Sequence, residues 1–185
     1  MTPQQLYNEL NYVNHSREKR QYYANLVIDN TDLVPLLLDI LFQVNDPISC
    51  RAAWVFEFMC SKKLEASLPY LDTFTNQLHT VHRDSAIRPV AKVCEYLVTT
   101  YYNQPQSQVR QKLTESHKEK IIASCFDWMI NENKVAPKAY AMNCLFLLGS
   151  DNTWIHPELR GILERDYQMQ SSGFKARARH ILKKI

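Results

Sequence analysis

With 185 residues, 45% of them hydrophobic and 22% charged, the chain is long enough to bury a core and too apolar to be disordered. Its formal net charge of +3 conceals an uneven distribution: residues 171–185, "SSGFKARARHILKKI", carry five Lys/Arg, one His and no acid, while the 170 residues before them hold 17 basic and 19 acidic groups. Nucleic-acid or membrane binding therefore cannot be argued from the overall charge, only from that local excess.

The opening stretch "MTPQQLYNELNYVNHS" lacks a basic segment followed by an apolar run, so it does not read as a secretory signal. The longest apolar run, "VPLLLDILF", is interrupted by Asp39 and falls far short of the roughly 20 residues a membrane helix needs. A single soluble, cytoplasmic domain over residues 1–185, with no membrane contact, is the expectation. Residues 1–30 read as an N-terminal helical cap. From Thr31 onward apolar residues recur at three and four, as in Leu33, Leu36, Leu37, Ile40, Leu41 and Val44, and again in Trp54, Val55, Phe58 and Met59. Capping signals agree: Thr31 or Asp32 precedes the first run, Asp46-Pro47 the second, and Thr114-Glu115-Ser116 a later one. Only three glycines occur, and no stretch alternates long enough to form a strand pair. An all-α chain of about ten helices joined by short turns is predicted. Cys50, Cys60, Cys94, Cys125 and Cys144 are odd in number, form no CxxC pair and sit in apolar helical patterns. They read as reduced, buried thiols rather than a disulfide frame or a metal site.

The sequence also repeats. "KAYAMNCLFLL" from Lys138 matches "KARARHILKKI" from Lys175 at an offset of 37, and "DPISCRAAWVFEFM" from Asp46 matches "DSAIRPVAKVCEYL" from Asp84 at 38. The polar stretch "NQPQSQVRQKLT" from Asn103 absorbs the dozen extra residues between the second and third copies. Each copy is preceded by another helix: "TDLVPLLLDILFQV", "ASLPYLDTFTNQLHTV", "ESHKEKIIASCFDWMI" and "IHPELRGILERDYQ". A helix pair about every 37 residues, with Asp opening the second helix, a basic residue four or five later, then Ala and spaced aliphatics, resembles the HEAT-repeat, armadillo-like family of α-solenoids. That resemblance implies a right-handed α-α superhelix of about four pairs over residues 31–170, closed by a basic capping helix at 171–185. Pro89 and Pro137 just inside second helices depart from the pattern, and a missing N–H there kinks or delays a helix.

Several residues invite a functional role. The terminal helix places Phe174, Ala178, Ile181, Leu182 and Ile185 in one arc and its charges elsewhere, as a last repeat with no outer neighbour requires. "SSGFK" echoes the mobile loop of fumarase and adenylosuccinate lyase enzymes, and small bacterial proteins similar to this one are sometimes labelled with the latter activity. The Pro and Asn of that loop are absent here, so the label is not adopted. Arg51, Arg88, Lys138 and Lys175 stand at equivalent repeat positions, and Lys175, Arg179 and Lys183 share one side of the last helix. By the resemblance, second helices line a concave surface, where these residues either bind an acidic partner or phosphate backbone or pair with Asp46 and Asp84 to hold repeats together. A few HEAT-like proteins are DNA glycosylases that use groove aromatics and an acid; Trp54, Trp128, Trp154, Tyr140 and Asp127 are available by type, with core packing the simpler account of Trp54 and Trp128. Tyr22-Tyr23 and Tyr101-Tyr102 are the expected exposed aromatics. His79 and His82, three apart with Asp84 nearby, lack a third ligand of comparable quality. No catalytic residue, cofactor or metal is predicted. The expectation is a non-catalytic scaffold for a protein or peptide, with nucleic-acid binding as the alternative.

Overall fold

The computed structural model describes residues 1–131 and 135–185, and every regular element among them is helical. Eleven α-helices run in the order α1 (Pro3–Leu10), α2 (Arg17–Asp29), α3 (Leu33–Leu41), α4 (Ile48–Lys62), α5 (Leu71–Asn76), α6 (Asp84–Asn103), α7 (Gln108–Lys112), α8 (Glu115–Ile130), α9 (Val135–Leu148), α10 (Ile155–Asp166) and α11 (Ser172–Leu182). None of the described helices is long and apolar enough to cross a membrane.

Local chemistry sets many of these boundaries. Thr2, Ser16, Ser107, Thr114 and Ser171 each accept a backbone N–H three residues on, satisfying donors that a helix start leaves unpaired. At α8 the reciprocal half of the capping box comes from His117, whose Nδ1 accepts the Thr114 amide at 3.2 Å. Ser171 of "SSGFK" is thus a helix cap. Asp46 accepts the Ile48 amide before α4 as anticipated, whereas Asp32 precedes α3 without a side-chain cap.

Two segments differ from expectation. The helix predicted over "ASLPYLDTFTNQLHTV" is broken into a 3-10 segment Leu64–Tyr70, the short α5 and a second 3-10 turn Leu78–Thr80. Pro69 removes a donor inside it, and Thr73 and Thr75 add β-branched side chains that disfavour continuous α-helix. The polar stretch after Asn103 contains α7, capped by Ser107.

The helices pack in a series. α2 lies against α4, α4 against α6, α6 against α9 and α9 against α11, while α3 packs on α4, α8 on α9 and α10 on both α9 and α11. Neighbours in the first series run in the same sense. Arg20 lies near Trp54 and Phe58 and Asn25 meets Lys62 further along; likewise Trp54 reaches Ser85 and Glu57 reaches Arg88. α9 needs apolar groups on every side because four helices surround it, and Ala141, Met142, Cys144, Leu145 and Leu148 are fully buried. Phe56 and Phe74 are packed 5.4 Å apart, with Phe42 against Phe74. Phe174, Ala178 and Ile181 bury the inner arc of α11 as the pattern required. Cys60, Cys94, Cys125 and Cys144 are buried free thiols and Cys50 is partly so; burial pushes the Cys60, Cys94 and Cys125 thiols up, which suppresses thiolate chemistry.

Two glycines give opposite predictions. A Cβ on Gly149 would collide with the His156 imidazole, which Nε2 holds against the Phe146 carbonyl at 2.9 Å. Gly161 lies within α10 with open space around it. Gly149→Ala is expected to cost about 1–3 kcal/mol by forcing the ring aside, and Gly161→Ala to stabilise by about 0.5–1 kcal/mol. Urea titrations of both variants check the opposite signs.

Candidate functional site

The site is built on a backbone vacancy. Within α6, residue 89 is proline, so the N–H that would bond the Ser85 carbonyl is missing. The indole Nε1 of Trp54, on α4, donates to that carbonyl at 2.7 Å. Trp54 is thereby fixed half-buried at the edge of a hollow of about 210 Å³. His15 lies 4.9 Å from its ring and the Arg20 guanidinium 5.9 Å from it and 4.9 Å from Phe58. Arg20 is held there by the His15 and Ser16 carbonyls, and Asp84, Ser85 and Arg88 of α6 with Ala136 and Pro137 of α9 complete the wall. Four neighbouring helices contribute, so the hollow exists only in the folded stack.

Charge alternates across this face. Arg88 bonds both oxygens of Glu57, at 3.2 and 2.6 Å, and Glu57 is only 7% exposed. Burial works against the Arg88 cation, but Glu57 outweighs it and holds the group above its ordinary value. For Arg20 the balance is opposite: burial, then the nearby charge of Arg88, lowers it. Further along, Glu95, also 7% exposed, receives Lys92 at 2.6 Å and Arg177 of α11 at 3.3 Å. Lys92 lies over the rings of Tyr96 and Tyr140 at 5.0 and 4.5 Å.

The residues singled out from the repeat separate into different environments. Arg51 donates to the Asn11 carbonyl at 2.6 Å and to that of Leu10, closing the end of α1. Arg88 belongs to the hollow. Lys138 is buried at 6% exposure near Asp166, whose carboxyl is held low by Arg165 first and by Lys138 in smaller part. Lys175 lies over Tyr167, and Arg179 and Lys183 face outward on α11. The expected ladder of Asp46 and Asp84 with Arg51 and Arg88 is corrected: Arg88 takes Glu57, Arg51 takes carbonyls, and Asp46 accepts the Tyr7 hydroxyl at 2.7 Å. A glutamate buried mid-helix needs a cation more than a less buried aspartate at or before a helix start does.

The aromatic expectations are also redistributed. Tyr22 is 62% exposed, but Tyr23 and Tyr101 are buried, and Tyr102 is tied to Asp151 at 2.6 Å. Trp128 is core, Trp154 stacks on Phe126 at the surface, and Asp127 borders a separate hollow with His79 and His82. Asp84 lines the Trp54 hollow instead. Among the described residues no three His, Cys, Asp or Glu side chains are grouped to hold a metal.

Three further polar anchors hold the elements together. Arg83 donates to the Val44 carbonyl at 2.9 Å. His117 Nε2 meets Asp72 at 2.8 Å while its Nδ1 caps the helix, which makes Nε2 the donor. Lys118, 1% exposed, reaches Glu115 at 2.7 Å, Tyr101 at 3.2 Å and Asp151 at 3.5 Å, pinning α8 to α6 and to the turn before α10. Its signal was present, because Lys118 shares an arc with Ile121, Ile122, Cys125 and Met129.

Two outcomes follow for stability. In a double-mutant cycle of Arg88→Met and Glu57→Gln, each single change is expected to cost more than its share of the double, with a coupling of about 1–2 kcal/mol once the partial exposure of Arg88 is allowed for; urea denaturation measures it. At Asp46 the Ile48 amide, then the Tyr7 hydroxyl, hold the carboxyl below its ordinary value. A lowered folded-state value means that the contribution of Asp46 is full above the unfolded carboxyl range, near pH 4, and is lost as pH falls toward the folded value. Asp46→Asn should therefore lower Tm near pH 6, with the difference from the parent shrinking by about pH 3. In comparisons with known proteins, the chain matches no family model, no curated protein and no solved structure.

Proposed function

We propose that the chain is a HEAT-like α-solenoid acting in the cytoplasm as a non-catalytic scaffold, with a peptide segment of a protein partner seated in the groove around Trp54. The order of packing, α2 on α4 on α6 on α9 on α11 with neighbours in the same sense, supports the helix-pair repeat. The observation that carries the functional reading is the alternation of charge around a half-buried tryptophan: Arg20 and Asp84, then Arg88 and Glu57, then Lys92 and Glu95. A phosphate backbone requires cations free to replace counterions. Arg88 and Lys92 are engaged by carboxylates, and Glu57 and Glu95 repel an anion along the same face. A peptide with a large apolar side chain for the Trp54 hollow, flanked by polar groups of both signs, matches this surface.

Selection of a random peptide library on the immobilised protein tests the reading. Selected peptides are expected to bind in the micromolar range and to weaken at least about tenfold with Trp54→Ala and with Arg20→Glu, in variants that melt cooperatively. Duplex or single-stranded nucleic acid binding at physiological salt, with a steep salt dependence lost in Arg20→Glu and Arg88→Glu and no peptide selected, overturns it in favour of the nucleic-acid alternative.

A further inference from the structure

The cations around the Trp54 hollow are not alike. Arg88 gives its guanidinium to both oxygens of Glu57, and Lys92 is answered by Glu95, so each of these pairs is neutral. Arg20 meets no carboxylate among the described residues: its Nε donates to the Ser16 carbonyl at 3.3 Å and its Nη2 to the His15 carbonyl at 2.7 Å. The N–H groups of Nη1 and the second of Nη2 are left without an acceptor, and these form the edge of a guanidinium that grips a carboxylate through parallel bonds. The rings of Trp54 and Phe58, at 5.9 and 4.9 Å, flank the group. Arg17 lies one turn earlier on the same side of α2, exposed and also without an ion pair among the described residues. Glu18 leaves that helix about 200° away from Arg20, and Asp84 stands on α6, across α4 from it. Burial, then the charge of Arg88 and that of Arg17, oppose the Arg20 cation, and Glu57 offsets only part of this. At about 210 Å³ the hollow admits a side chain rather than a whole small molecule, for which sites of about 300–1,000 Å³ are usual.

We propose that the peptide seated in this groove is anchored by a carboxylate on Arg20, next to a large apolar side chain packed against Trp54. The inference rests on the peptide reading and adds to it the sign and the chemistry of the anchoring group. A carboxylate supplies the counter-charge that Arg20 lacks and matches the geometry of its unused edge. A half-buried cation flanked by rings gains more from such a partner than an exposed one does, because less water has to be displaced from it on binding. A cationic group of the peptide at the same place would face Arg20 and Arg17 together. Further along the face Arg88 and Lys92 are already engaged, so the acid is a local requirement and not a property of the whole peptide. The carboxylate belongs either to an Asp or Glu side chain or to the C-terminus of the peptide, since both present the same pair of oxygens.

Peptides selected from a random library on the immobilised full chain, with affinities then measured in solution, test it. The selected sequences are expected to share an acidic residue or a free C-terminus adjacent to a large apolar side chain. Replacing that acidic residue by its amide, or amidating the C-terminus, should weaken binding to the parent protein at least about tenfold. Against Arg20→Gln the same replacement should cost less than about twofold. Which of the two replacements has the effect identifies the source of the carboxylate. The coupling between the change in the peptide and the change in the protein is the readout, so a disturbed start of α2 in the variant does not imitate it. Arg20→Lys keeps the charge and loses the planar fork; it should bind the unmodified peptide with an affinity between those of the parent and Arg20→Gln, and it serves the same cycle if Arg20→Gln does not melt cooperatively. Peptides that need Trp54 but carry no such carboxylate, or whose amide forms lose as much affinity for the Arg20 variants as for the parent, overturn the anchor and leave the peptide reading standing. Selection of no peptide, or only of peptides indifferent to Trp54→Ala, overturns both.

Discussion

A carboxylate held at 7% exposure among packed helices has lost most of its water and must be compensated by a cation nearby. Glu57 and Glu95 both face this constraint, and in each case a cation on a later helix answers it: Arg88 from α6 and Arg177 from α11. The two links lie along the direction in which the helices succeed one another. The first ties α4 to its neighbour α6, and the second reaches past α9 to tie α11 to α6. They also consume the cations that a nucleic-acid surface would need, and so bear on function as much as on stability.

The same economy of unsatisfied groups creates the groove. Pro89 leaves the Ser85 carbonyl without its helical donor, and the Trp54 indole fills the vacancy from a neighbouring helix. An aromatic ring that would otherwise pack anonymously is turned to the rim of a hollow, where His15 and Arg20 meet it. Departure of the sequence from an ideal helix and formation of the candidate site are one event. Elsewhere polar groups do structural work: Arg51 and Arg83 close the end of α1 and the chain after α3 by donating to backbone carbonyl oxygens.

Much of the architecture was legible from periodicity. The all-helical class, the core arc of α11 and the caps at Asp46 and Thr114 follow from spacing and local hydrogen bonding, which act over three or four residues. The segment from Ala66 to Val81 was misjudged because its apolar period is helical while Pro69 and the threonines oppose a continuous helix. The site was less legible. Arg51, Arg88, Lys138 and Lys175, which align with one another in the sequence, meet carbonyls, a carboxylate, the interior and a tyrosine ring respectively. Equivalent sequence position sets where a side chain leaves the helix, and the neighbour that meets it differs from copy to copy.

From the sequence by itself came the helical class, the free thiols within apolar helical patterns and the concentration of positive charge at the C-terminal end, since each depends on composition or on spacing within one helix. Only the tertiary structure decided that Glu57 and Glu95 outrank Asp46 and Asp84 as partners, that Lys138 and Lys118 are interior, and that Trp54 stands at a groove. These outcomes turn on burial and on pairs 31 to 82 residues apart. Desolvation determines which charges must be paired, and no local pattern reports how much water a residue loses when distant helices close over it.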